Sequence, residues 1–148
     1  MSRFESRLAG LGLHLPDAPE PVGAYLGAKV SGDLLFVSGR VSALRGEVDT
    51  AVSIAEARLA ARDTMLLLLA IAKQEIGNLD RIVSVEFVRG FVRSSPSFAQ
   101  QPAVIDGASE LLISVLGEPG RHARTATGAA QLPYGAAVQL DMILRLSS

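Results

Sequence analysis

The chain has 148 residues, of which 49% are hydrophobic and 20% are charged, and this size predicts a single globular domain over residues 1–148. The near-balance of 14 basic and 15 acidic residues gives a formal net charge of -1, which argues against nucleic acid and membranes as partners. The chain has no cysteine, which excludes disulfides and thiolate chemistry and is compatible with a cytoplasmic location.

The N-terminal segment, residues 1–24, combines a short helix with a proline-rich arm. Residues 1–12 mix charged and apolar side chains, which favours an amphipathic helix over a secretory signal peptide. Three prolines within residues 15–21 exclude a helix there and predict an extended arm. The most apolar run, residues 65–72, is far shorter than the roughly 20 residues that span a bilayer, so we expect no membrane segment.

A β-hairpin and a long helix follow the arm. Residues 25–30 and 34–38 are predicted to pair around a tight glycine-containing turn. Ser53 and Glu56 have the spacing of a capping box, in which each side chain bonds a free backbone amide of the other residue. Apolar residues then recur at steps of three and four over residues 54–76, which is typical of a helix packed on a sheet.

The second half of the chain predicts three more strands and another helix. Alternating apolar residues indicate a strand over residues 81–92, and a helix is expected over 102–116. Two further strands are predicted at 124–131 and 136–146. The resulting order, β-β-α-β-α-β-β, predicts an α+β fold whose mixed sheet carries two helices on one face. The other face needs cover, so we expect it to be shared between subunits.

Three motifs stand at family-specific spacings. Arg124-Thr125 is followed, eight and nine positions after the arginine, by Leu132-Pro133. Gly23-Ala24-Tyr25 is followed, fourteen positions after the tyrosine, by Gly39. Residues 88–98 form a strand and turn of the same pattern. Together these motifs resemble the RidA/YjgF family, also labelled endoribonuclease L-PSP, over nearly the whole chain.

The resemblance implies a fold, an assembly and an activity. The fold is the chorismate-mutase-like α+β sandwich, assembled as a homotrimer with clefts between adjacent subunits. Characterised members hydrolyse 2-imino acids or their enamine tautomers to 2-keto acids and ammonia, so the implied partner is a small carboxylate-bearing metabolite. No metal or cofactor is expected, because an imine is already electrophilic and needs only orientation, a proton and water.

The resemblance also assigns site residues. Arg124 would bind the substrate carboxylate, because a guanidinium matches a carboxylate as a bidentate donor. Gly39 and the backbone of Ala126 would line the ligand, and Tyr25 of an adjoining subunit would hydrogen-bond the imine end. The family's water-activating glutamate aligns with Gln139, which can hold a water molecule but cannot take its proton.

The departure at Gln139 leaves three functions open. The first is an imine deaminase, with Arg124, Tyr25 and Gln139 as catalytic candidates. The second is a non-catalytic protein of the same fold that binds a small carboxylate such as a 2-keto acid. The third and weakest is the RNA cleavage named in the older family label, because the charge balance gives it no physical support.

Other polar residues have simpler interpretations. Arg124 could instead form a structural ion pair with an acid such as Asp141, and capping by an aspartate of its own chain would argue against a ligand role. Asp106 is considered as a replacement for the missing glutamate. Ser109 is interpreted as an ordinary helix residue. His122 is interpreted as a surface loop residue, in preference to a titrating residue near the cleft. Two isolated histidines predict no metal site.

Overall fold

The computed structural model describes residues 1–21 and 23–148, so position 22 of the predicted arm lies outside the described residues. Within these ranges the chain forms three α-helices and five strands, namely α1 (Arg3–Gly10), β1 (Ala28–Ser31), β2 (Leu34–Val41), α2 (Ile54–Ile76), β3 (Ile82–Arg93), α3 (Gln101–Leu116), β4 (Ala123–Ala129) and β5 (Val138–Leu146). The predicted element order is confirmed. In the described part of the chain, no helix is both long enough and apolar enough to cross a membrane.

The five strands form one mixed sheet in the order β1-β2-β5-β3-β4. Neighbouring strands are antiparallel except β3 and β4, which are parallel. A parallel pair needs a long crossover connection, and α3 provides it. β4 is therefore an edge strand that lies beside the helix connecting it to β3.

The long helix α2 begins and ends where the sequence predicts. The side chains of Ser53 and Glu56 each accept a hydrogen bond from the other's backbone amide, at 3.1 and 3.2 Å. Gly77 follows the last turn with a φ of 84°, a conformation that glycine adopts without steric cost. The capping box is confirmed.

Helices α2 and α3 pack very closely at Gly107. A Cβ atom at this glycine would lie 2.1 Å from the backbone oxygen of Arg58 in α2. The Arg58 side chain bridges the same two helices, because its Nη1 donates to the backbone oxygen of Ala103 at 2.7 Å and its Nη2 lies 2.8 Å from a carboxylate oxygen of Glu110. Glycine is therefore required where the two helices meet.

The two faces of the sheet have different surroundings. In β5, alternate residues are buried against the helices, namely Val138, Leu140, Met142 and Leu144. The opposite face carries an apolar row in which Ile143 pairs with Phe36 of β2 and Phe87 of β3. Phe36 is 42% exposed. The helices thus cover one face, as predicted, and leave an apolar centre on the other.

Four predicted strand boundaries are wrong by two residues or more. β2 ends at Val41 instead of 38. β1 begins at Ala28, so Tyr25 lies in a bend before the strand. β4 ends at Ala129 instead of 131. β5 begins at Val138 instead of 136, because the preceding Pro133–Gly135 forms a short 3₁₀ turn with Tyr134 at a φ of 61°.

Candidate functional site

Arg124 projects from the edge strand onto the helix-covered face of the sheet. It pairs in register with Val88 of β3, which in turn pairs with Met142 of β5, and both of these residues are buried. Residues directly opposite one another in a sheet project to the same face. The Arg124 side chain therefore lies beside α3, where it is 23% exposed.

Two residues of α3 hold one nitrogen of this guanidinium. Nη1 of Arg124 donates to Oδ1 of Asp106 at 2.7 Å and to Oγ of Ser109 at 3.1 Å. Asp106 and Ser109 are three residues apart, a spacing that places both on one side of the helix. Neither Nε nor Nη2 of Arg124 donates a hydrogen bond to any residue that the structure describes. One bidentate edge of the guanidinium thus has donors to offer a ligand.

The alternative considered for Arg124, an ion pair with an acid such as Asp141, is found with a different acid, Asp106. Asp141 accepts instead from Arg89, at 3.0 Å, on the opposite face of the sheet. Arg124 is nevertheless capped at Nη1 by Asp106 of its own chain, which is the condition that argues against a ligand role. Asp106 offsets part of the positive charge that an organic acid would meet, while it also fixes the plane of the guanidinium. Any carboxylate must use the Nε–Nη2 edge.

Ser109 and His122 extend the hydrogen bonding away from Arg124. Oγ of Ser109 lies 2.9 Å from Nε2 of His122, and Nδ1 of His122 lies 2.7 Å from the backbone oxygen of Gly120. A carbonyl oxygen only accepts, so we assign a proton to Nδ1; in that tautomer of the neutral imidazole, Nε2 accepts from the Ser109 hydroxyl. Ser109 is 7% exposed and His122 is half-buried. Ser109 thus lies in a helix and His122 in a loop, as predicted, but the burial of Ser109 and the hydrogen bonds of both side chains were not predicted.

A small hollow opens beside these side chains. Its volume is about 190 Å³, and it is lined by Ser109, Ile113, Arg121, His122 and Arg124. Arg121 lies at the surface, where its Nε is 3.2 Å from a carboxylate oxygen of Glu118. With the guanidinium of Arg124 on its wall, this hollow offers donors suited to a small organic anion.

Gln139 and Gly39 lie together on the other face of the sheet. A Cβ atom at Gly39 would lie 3.3 Å from Nε2 of Gln139. Gln139 pairs in register with Phe91 of β3, which pairs with Thr127 of β4. This row alternates with the buried rows, so Gln139 and Arg124 project from opposite faces of their own sheet.

The remaining predicted site residues are dispersed. Ala126 is half-buried in β4, two residues from Arg124 and opposite Gly90 of β3. Tyr25 lies before β1, at the opposite edge of the sheet from β4, and is 42% exposed. One chain thus brings Ala126 near Arg124 but separates both from Gln139, Gly39 and Tyr25. Among the described residues, no three histidine or acidic side chains group closely enough to bind a metal ion.

Comparison with known proteins places the whole chain in one family. The chain is 39% identical over 153 aligned positions to Protein TCP17 of Trypanosoma cruzi, which covers 99% of this chain and 96% of that protein. It is 41% identical to the protein Atu1372, of unknown function, from Agrobacterium tumefaciens. That crystal structure superposes with a TM-score of 0.92 over 98% of this chain and 93% of the other.

A third relative is a crystallised “putative endoribonuclease” from Shewanella oneidensis MR-1. It is 28% identical, has a TM-score of 0.93, and the alignment covers 99% of this chain and 100% of the other. The family described as “YjgF/chorismate mutase-like, putative endoribonuclease” matches residues 5–144. By this match, and with the arginine, Leu-Pro and glycine motifs at their expected spacings, the chain belongs to the YjgF/RidA family.

Proposed function

We propose that this protein is a cytoplasmic RidA-like deaminase that hydrolyses 2-imino acids, or their enamine tautomers, to 2-keto acids and ammonia. The observation that carries the proposal is the guanidinium of Arg124, which is fixed through Nη1, has no hydrogen bond from Nε or Nη2 to the described residues, and lines a small hollow. Family membership supports the same reaction class.

The reaction needs a binding group for the carboxylate more than it needs a strong nucleophile. A carboxylate paired with the Nε–Nη2 edge of Arg124 fixes the position of C2, because C2 is bonded directly to the carboxylate carbon. Water adds to C2, the C=N bond becomes a C–N bond, and ammonia then leaves as the C=O bond forms. The imine is electrophilic by itself, so positioning and proton transfer supply the acceleration.

We further propose that the site is completed between copies of the chain. Arg124 and Gln139 lie on opposite faces of one sheet, so only an adjoining copy can bring Gln139, Gly39 and Tyr25 toward Arg124. The apolar row through Ile143, on the uncovered face, supports such contact. We expect light scattering to give three times the chain mass of 15.5 kDa. A monomer at micromolar concentration would contradict this assembly.

Replacing Arg124 tests the carboxylate contact. The imino acid 2-iminopropanoate can be generated in situ with an amino-acid oxidase, and its decay followed with and without protein. Arg124→Lys keeps the charge but loses the fork, and hydrogen bonds to charged groups contribute about 1.5–3 kcal/mol. We expect kcat/KM to fall about 10- to 100-fold, whereas Arg62→Ala, which removes an exposed ion pair on α2, should have no effect.

Two results would refute the deaminase. One is decay at the uncatalysed rate in the presence of the wild-type protein. The other is equal acceleration by the wild type and by Arg124→Lys, which would place the reaction elsewhere. Circular dichroism on each variant separates loss of activity from loss of folding.

A second candidate function, carboxylate binding without turnover, is favoured by the amide at position 139. Gln139→Glu distinguishes the two. A large gain in hydrolysis, about 10²-fold or more, would indicate an enzyme of reduced activity, since a general base contributes about 10² to 10⁴-fold. Stabilisation of the wild type by 2-oxobutanoate, with no turnover in either protein, would indicate a binding protein.

A further inference from the structure

One arginine on the uncovered face of the sheet has no acid to pair with. The arginines of β3 and β5 project from this face, because they alternate with residues buried against the helices; they are Arg89, Arg93 and Arg145. Arg89 pairs with Asp141 at 3.0 Å, and Arg145 pairs with Asp33. Arg93 forms no ion pair with any residue that the structure describes.

The guanidinium of Arg93 also lacks hydrogen-bond acceptors. Its Nη1 donates to the backbone oxygen of Gly135 at 3.4 Å, which is a long contact. Neither Nε nor Nη2 donates to any of the described residues, and the Nε atom is fully buried. A buried donor without an acceptor is unfavourable and uncommon in folded proteins. Arg93 therefore holds donors that its own chain does not use.

Arg93 lies beside Gln139 on this face. Gln139 pairs in register with Phe91, and Arg93 is the next residue of β3 on the same side, opposite Ala137. Diagonal neighbours of this kind have Cα atoms about 7–8 Å apart. In the proposed assembly, an adjoining copy brings Gln139 toward the substrate that is bound to Arg124. The same copy therefore brings Arg93 to the same site.

We propose that Arg93 binds a second acidic group of the substrate, so that the preferred substrates are 2-imino dicarboxylic acids. This inference rests on the proposed deaminase function and on the site shared between copies. Arg124 binds the carboxylate next to C2, and C2 then faces away from that guanidinium, toward the adjoining copy. A side chain as long as that of glutamate extends from C2 toward Arg93, where its carboxylate accepts charge-assisted hydrogen bonds.

The surroundings of Arg93 favour this role. Its single long contact with Gly135 lets the guanidinium turn, and an arriving carboxylate supplies the acceptors that Nε and Nη2 lack. Gln139 is neutral, and the acid nearest to it along β5, Asp141, is held by Arg89. A substrate with an uncharged side chain leaves the Arg93 donors unpaired, and a site built in this way discriminates against such a substrate.

Two substrates with the same carbon chain test the inference. Amino-acid oxidases generate 2-iminopentanedioate from glutamate and 2-iminopentanoate from norvaline, and only the first carries a second carboxylate. The variants are Arg93→Gln, Arg93→Lys and the matched control Arg62→Gln, which removes a paired arginine of α2. The measurements are kcat/KM for both imines, the affinities for 2-oxopentanedioate and 2-oxopentanoate by calorimetry, and the assembly by light scattering.

We expect the kcat/KM of the wild type to be about tenfold or more higher for 2-iminopentanedioate than for 2-iminopentanoate, because the first substrate adds hydrogen bonds between charged groups. Arg93→Gln should abolish this ratio. Arg93→Lys keeps the charge but loses the planar fork, so the ratio should fall about threefold or more. Arg62→Gln should keep the ratio of the wild type.

The possible failures are distinguishable. If the wild type accelerates the decay of both imines equally, or if Arg93→Gln keeps the wild-type ratio, the inference is wrong and the deaminase stands. If the wild type accelerates neither, the deaminase is wrong. Tighter binding of 2-oxopentanedioate than of 2-oxopentanoate, lost in Arg93→Gln, would then still support the second contact, and equal affinities would overturn it. If Arg93→Gln does not fold or assemble, Arg93→Lys decides, and an unchanged ratio there overturns the inference.

Discussion

A methyl group added at Gly107 has no room between α2 and α3. The Cβ of an alanine would lie 2.1 Å from the backbone oxygen of Arg58 and 2.9 Å from its carbonyl carbon. Both atoms belong to the backbone of α2, so no side-chain rotation relieves the contact. Gly107→Ala must therefore push the two helices apart.

Two opposing terms determine the stability of Gly107→Ala. Alanine in a helix interior is favoured over glycine by about 1 kcal/mol. Ordinary contact begins near 3.4 Å, so the helices must separate locally by roughly 1 Å. Overpacking costs about 1–3 kcal/mol, and a backbone contact this short belongs in the upper part of that range, about 2–3 kcal/mol. We expect a net loss of about 1–2 kcal/mol, which lowers the Tm of a domain this size by about 2–8 °C.

Calorimetry on Gly107→Ala and on Gly10→Ala tests this reasoning. Gly10 ends α1, and a Cβ atom there meets nothing within 4 Å, so the control should unfold at or slightly above the wild-type Tm. Because Asp106 precedes Gly107, displacement of α3 should also weaken 2-oxobutanoate binding. A Gly107→Ala protein as stable as the wild type would refute the close approach of the two helices.

Two further predictions concern the ends of α1 and α2. Ser53→Ala removes the acceptor for the amide of Glu56, so the free energy of unfolding in urea should fall by about 1 kcal/mol; an unchanged urea midpoint would contradict the capping role. The hydrogen bond from Lys73 lowers the pKa of Glu5. The pair therefore stabilises the fold at pH values above the ordinary pKa of glutamate, and this stabilisation is lost as the pH falls through the lowered pKa. Lys73→Met should flatten the acid side of the Tm–pH curve, and a curve of unchanged shape would count against this pair.

The sequence predicts those parts of the fold that depend on neighbouring residues. Ser53 and Glu56 specify the start of α2, because a capping box needs only a spacing of three. Alternation from Val138 to Leu144 identifies the buried face of β5, because successive side chains of a strand point to opposite faces. The start of β1 is less defined, because the backbone oxygens of Leu26 and Gly27 still accept hydrogen bonds from the hydroxyl and the amide of Ser38 in β2, although neither residue belongs to the regular strand.

The site depends on contacts that no local pattern specifies. Arg124 pairs with Asp106, eighteen residues earlier, only because α3 lies over the edge strand β4; the candidate partner Asp141 projects from the other face. The same packing of α3 buries Ser109. In the sequence Ser109 looks like an ordinary helix residue, because the residues around it are those of an apolar helix. The available signal was the three-residue spacing of Asp106 and Ser109, which places two polar groups on one side of an otherwise apolar helix.

The hydrogen-bonded chain from Arg124 to Gly120 is contained in residues 106–124, within the β3–α3–β4 crossover. Within one chain, the hydrogen bonding that fixes Arg124 therefore depends on how often this unit opens. An anion bound to Arg124 adds its binding free energy to this unit and to the segments of an adjoining copy that complete the site. Amide exchange should then slow in α3 and β4 when the anion binds.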